Sequence, residues 1–177
     1  MPCSSRLPAL ALLLLILGFL ACSSGGGNGI VPAYNFNGEW QTGELVSTRR
    51  SGNCETLLKQ IPITFPAFNY SVEQVGENIT LRDSTGELTG RDQSDSFSVT
   101  DESELPGEIV DPAVLEPPFS SPNFVCTVVT TIEYQGESEL SGMITVRFQF
   151  DCTDLNTGEI AASCTLDYGG VSDKVSP

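Results

Sequence analysis

Along most of this chain apolar side chains recur at every second position and rarely at the three-to-four spacing of an amphipathic helix. The pattern is clearest late in the sequence. Cys126, Val128, Thr130, Ile132 and Tyr134 share one parity, and a turn is expected over residues 135–138. Leu140, Gly142, Ile144, Val146, Phe148, Phe150 and Cys152 then share one face, with polar Thr145, Arg147 and Gln149 between them. Because side chains alternate along a strand, this is the signature of a half-buried antiparallel strand. Residues 154–159 (Asp-Leu-Asn-Thr-Gly-Glu) tolerate left-handed backbone and predict a hairpin turn, after which Ala162, Cys164, Leu166 and Tyr168 line up again.

Earlier strands are shorter and their turns tighter. Tyr70 and Val72 precede Gly76-Glu77-Asn78, and Ile79 and Leu81 follow it, which is a hairpin pattern. Asp83-Ser84-Thr85-Gly86 leads to Leu88, and residues 91–95 lead to Phe97 and Val99. Residues 55–60 admit one short helical turn and nothing longer qualifies. About eight or nine strands joined by tight turns, without helical crossovers, make an all-β antiparallel meander. Such a meander removes its edges by closing into a barrel, with a β-sandwich as the alternative.

One stretch does not fit. Residues 101–123 hold Asp101, Glu102, Glu104, Glu108, Asp111 and Glu116 together with Pro106, Pro112, Pro117, Pro118 and Pro122. So many prolines exclude a central strand. Ile109, Val110, Val114, Leu115 and Phe119 are more apolar than a freely solvated loop requires, so the stretch is expected to lie as a lid or strap over one barrel end. The other reading is a mobile acidic insertion.

The chain opens with Arg6 ahead of an apolar run at residues 7–20, shorter than the roughly 20 residues of a membrane span and interrupted by Pro8. Residues 1–21 therefore read as an export leader and are excluded from the fold. Phe19-Leu20-Ala21-Cys22, followed by Ser23-Ser24-Gly25-Gly26-Gly27, resembles the lipobox and tether of bacterial lipoproteins, although Phe19 and Leu20 depart from the usual residues there. The resemblance implies cleavage before Cys22 and a lipid such as palmitate on that cysteine. It also implies a cell-envelope location, anchored to the outer membrane on its periplasmic side or at the cell surface. A secreted protein without lipid is the alternative. Residues 22–35 are rich in Gly, Ser, Asn and Pro and read as a flexible tether, leaving 36–177 as one domain.

Asn35-Phe36-Asn37-Gly38-Glu39-Trp40, at the start of that domain, resembles the Gly-x-Trp opening of lipocalin-like barrels. Small bacterial lipoproteins with this opening, repeated hairpins and late cysteines look similar over most of the chain. The resemblance implies that Gly38 and Trp40 sit at one barrel end, the indole packing across it. In a sandwich Trp40 would instead be an ordinary core aromatic.

Of six cysteines, Cys3 leaves with the leader and Cys22 carries the lipid, so Cys54, Cys126, Cys152 and Cys164 remain. An even number in an exported chain reads as two disulfides. Zinc is the competing reading, but the chain has no histidine and no C-x-x-C pair, and no metal site is expected. Parity places Cys152 and Cys164 inward on two strands flanking one hairpin. The expected pairs are therefore Cys152 with Cys164 and Cys54 with Cys126.

Eight Lys and Arg against 23 Asp and Glu give a formal charge of −15, which repels phosphate backbones and excludes nucleic acid as a partner. With no histidine to activate a nucleophile, and Lys59 and Lys174 outside apolar settings, no enzyme and no cofactor is expected. The cluster Asp151, Asp154, Asn156 and Glu159 lacks the register of a calcium loop and reads as turn chemistry. What remains is a lipid-anchored binding module with a small apolar ligand inside the barrel. The alternative is a structural or protein-interaction lipoprotein whose barrel is solid, filled by Phe65, Phe97, Phe148 and Phe150.

Overall fold

Among the described residues, period-two alternation becomes eleven strands: β1 (Gly38–Thr42), β2 (Leu45–Gly52), β3 (Thr64–Phe65), β4 (Asn69–Val75), β5 (Asn78–Arg82), β6 (Glu87–Asp92), β7 (Ser96–Thr100), β8 (Glu108–Ile109), β9 (Phe124–Gly136), β10 (Ser141–Asp154) and β11 (Ile160–Ser176). A single helical turn, α1 (Cys54–Leu57), follows β2. The computed structural model describes residues 34–101 and 107–176. The leader, Cys22 and the tether up to residue 33 lie outside the described residues, as do Glu102, Glu104 and Pro106.

Eight strands close a barrel in the order β1-β4-β5-β6-β7-β9-β10-β11, with β11 returning to β1, and every pairing is antiparallel. This is the expected meander closed into a lipocalin-like barrel, and not a sandwich. Its hairpins turn where the sequence places them. Val75 pairs with Asn78 across Gly76-Glu77, with Gly76 at φ 64°, and Arg82 pairs with Glu87 across residues 83–86.

The walls of this barrel differ in height. On one side β9, β10 and β11 run for 13, 14 and 17 residues; on the other β1, β4, β5, β6 and β7 have 5 to 7. The tall wall outlasts the short one, and above the short wall other segments cover its edges. β1 pairs with residues 172–176 of β11 and β2 takes over along residues 164–169, so the two are successive parts of one edge. In the same way β7 covers residues 131–135 of β9 and β8 covers residues 127–128.

Across the outer face of the tall wall Arg147 clamps Asp167 with two hydrogen bonds, Nε to Oδ1 at 2.9 Å and Nη2 to Oδ2 at 3.2 Å, and reaches Glu133 at 3.4 Å. Opposite charges thus sit side by side on three adjacent strands and favour this register.

The closed end of the barrel is packed solid with aromatic rings. Phe36, Trp40, Tyr70, Phe97 and Tyr134 are buried and meet at centroid separations of 5.1 to 6.4 Å. Trp40 is wholly buried, and its Nε1–H donates to the Phe36 carbonyl at 2.9 Å. Tyr34 N–H donates to the Ser94 carbonyl, and its ring packs edge-on against Phe36.

The opposite end is closed by a cap. Leu58 bridges Leu115 in antiparallel fashion, Lys59 N–H donates to the Val114 carbonyl, and Glu116 N–H donates to the Leu57 carbonyl. Residues after α1 are thereby clasped to the proline-rich segment, whose Val110 and Leu115 are buried and whose Phe119 packs on the core. The described part of that segment is the expected strap, and its apolar residues are the reason it stays down.

Both disulfides lie in the cap storey, and their pairing corrects the sequence expectation: Cys54 joins Cys164 and Cys126 joins Cys152. All four are buried, and parity correctly puts Cys126, Cys152 and Cys164 on inward faces of their strands. Register decides the partners. On β10 and β11 Cys152 stands opposite Ala162 while Cys164 stands opposite Phe150, so the two cysteines are two residues out of register with each other. Cys152 instead faces Cys126 directly on β9, and Cys164 faces Gly52, two residues before Cys54.

Candidate ligand cleft

Between the rim of the short wall and the cap, the barrel opens sideways. The opening leads into a cleft of about 670 Å³, within the range of small-molecule sites. Its floor comes from inward positions of the tall wall, Thr130 and Ile132 on β9 and Val146 and Phe148 on β10, with Leu88 of β6 opposite. These are alternate residues of their strands, as a barrel interior requires.

Phe65 and Phe68, around the β3–β4 link, form one jamb. Phe65 stands 5.5 Å from Phe148 and 5.9 Å from both Phe68 and Tyr168, ring centroid to ring centroid. The Tyr168 hydroxyl donates to the Pro62 carbonyl at 2.9 Å and fixes the approach to this link. Phe65, Phe68, Leu88 and Phe148 are half-buried, while Ile132 and Val146 below them are fully buried. The apolar lining therefore grades from open mouth to sealed floor.

The other edges of the mouth are polar. The β5–β6 turn contributes Asp83, Ser84, Thr85 and Glu87, and Asp101 and Glu108 approach from the ends of β7 and β8. Asp83 Oδ1 accepts from the backbone N–H groups of Thr85 and Gly86 and from the Thr85 hydroxyl, which sets the turn rigidly. Glu87 accepts from Arg82 Nε at 2.7 Å, and the same guanidinium reaches Glu73 at 2.8 Å, an arrangement that pushes the Arg82 pKa up.

The residues singled out in the sequence fall elsewhere. Gly38 and Trp40 belong to the closed end, and the four cysteines to the cap; none lines the cleft. Trp40, wholly buried at the far end, is badly placed to report a ligand by its fluorescence. Of the four bulky phenylalanines expected to fill the barrel, Phe97 does so at the closed end and Phe150 packs against the core, while Phe65 and Phe148 form cleft walls. Asp154 Oδ1 accepts from the Asn156 backbone and side chain, so this part of the acidic hairpin is turn chemistry. Among the described residues no group of three or more His, Cys, Asp or Glu side chains is placed to hold a metal ion.

No protein-family model matches this chain, and no curated protein matches its sequence. Its class is set by architecture: a lipocalin-like antiparallel barrel of eight strands, capped at one end, plugged at the other and open at the side.

Proposed function

We propose that this protein is a lipid-anchored, extracytoplasmic binding module that holds a small apolar ligand in the side cleft of its barrel. The cleft carries the reading: about 670 Å³ of space above an apolar floor in a barrel otherwise packed with side chains. A barrel of eight strands can be filled completely, so leaving this volume open is a choice of residue size at Thr130, Val146 and Leu88. Anchoring through Cys22 is supported by the leader-like residues 1–21 and the Gly-Ser-rich stretch behind them. Two disulfides in the cap suit an oxidising compartment.

Native mass spectrometry of the protein purified from a bacterial envelope tests the binding reading. The expected result is a co-purified apolar molecule that is lost when Thr130→Trp fills the cleft. A protein that carries no adduct and binds no apolar probe would return the choice to an envelope interaction protein, which the solid aromatic end of the barrel favours. Metabolic labelling with palmitate tests the anchor, and label should disappear in Cys22→Ala.

A further inference from the structure

The cleft is apolar inside and negative at its mouth, and that combination selects a ligand. Four of its lining residues are carboxylates, Asp83, Glu87, Asp101 and Glu108, and among the described residues no lysine or arginine lines it. The nearby Arg82 is divided between Glu73 and Glu87. Accepting hydrogen bonds from its own turn leaves the charge of Asp83 in place. Around the mouth the chain as a whole carries a formal −15, so the field draws cations from a distance. Phe65 and Phe68, half-buried beside the same mouth, offer aromatic faces to which an ammonium group is attracted.

We infer that the cleft takes an amphiphile with a cationic head, its hydrocarbon part over Ile132, Val146 and Phe148 and its ammonium group at the acidic mouth beside Phe65 and Phe68. A fatty acid would bury the same tail but bring its carboxylate among like charges. A neutral alcohol would gain the tail alone. This inference rests on the reading of the cleft as an apolar ligand site, and it adds the charge of the occupant.

Three probes sharing one alkyl chain separate the two ideas: decyltrimethylammonium, decanol and decanoate, each below its aggregation threshold. Calorimetric titration of the unsubstituted protein reads the binding of each. The ammonium probe should bind about tenfold tighter than decanol, with decanoate weakest. Added salt and the double change Glu87→Gln with Glu108→Gln should both shrink that preference. Near-UV circular dichroism establishes that the double variant is folded, and salt alone gives the same test without any substitution.

Equal binding of ammonium and alcohol, or tightest binding of decanoate, overturns the cationic head while the apolar site stands. Binding of no probe, or binding undisturbed by Thr130→Trp, overturns the site itself and this inference with it.

Discussion

Two tyrosines that differ in one hydrogen bond show how much a single atom decides here. The Tyr70 hydroxyl is 2.7 Å from Ser172 Oγ, whereas the Tyr134 hydroxyl is buried with no hydrogen-bond partner among the described residues. Gly142 makes room for it, since a Cβ there would stand 2.5 Å from the Tyr134 oxygen. An unsatisfied buried hydroxyl is costly, while a satisfied one contributes about 1 kcal/mol. Tyr134→Phe should therefore raise stability by on the order of 1 kcal/mol and Tyr70→Phe lower it by about the same, both read from urea unfolding midpoints. Burial is the main cause that pushes both phenols up from their ordinary 10.0. In the unfolded chain they ionise near 10.0 while the folded chain still holds their protons, so this stability is intact below that pH and is lost as pH rises above it. Urea midpoints measured across this range should fall on the alkaline side, and fall less steeply in Tyr70→Phe.

At the level of elements, the cap depends on pieces distant in sequence. The Cys54–Cys164 link spans 110 residues and Cys126–Cys152 spans 26, which in the chain-entropy model correspond to about 4.8 and about 3.5 kcal/mol. Replacing the first pair by alanines should accordingly lower the unfolding midpoint more than replacing the second. Peptide mapping without reductant should recover these two links and not Cys152 with Cys164. The clasp is apolar at heart: Leu115, 2 % exposed, bridges Leu58 across the top of the barrel. Leu115→Ala should cost about 2–5 kcal/mol, as buried leucine truncations do, and should speed proteolysis within residues 107–123. A mobile insertion would show neither effect.

For the molecule as a whole, unequal strand lengths create the opening. A closed barrel of equal walls would have a mouth only at its ends, and here one end is plugged by rings and the other capped. The cleft is thus reached laterally, across the rim formed by the β5–β6 turn and the β3–β4 link. Substitutions at the closed end, such as Trp40→Phe, should lower stability through loss of packing and of the bond to Phe36, yet leave probe affinity unchanged in the fraction that remains folded. Calorimetric titration beside thermal unfolding separates those effects. Loss of affinity in Trp40→Phe would mean that the two ends are coupled.

Much of this was written locally. Alternation at residues 126–134, 140–152 and 162–168 set which faces turn inward, and the glycine and aspartate turns set where the short hairpins reverse. Those signals depend on neighbours a few residues apart, so sequence alone determined the all-β class, the inward face of the strand cysteines Cys126, Cys152 and Cys164, and the strap's need for burial. The disulfide partners, the clasp and the cleft were decided by tertiary structure. Parity names a face but not a register, and a hairpin that leaves Cys152 and Cys164 two residues out of step gives each a different partner. Nor does alternation say how closely inward side chains meet across a barrel. Thr130, Val146 and Leu88 leave a gap while Phe97 and Tyr134 do not, because strands of unequal length bring the first set together beneath an open rim and the second beneath a closed one.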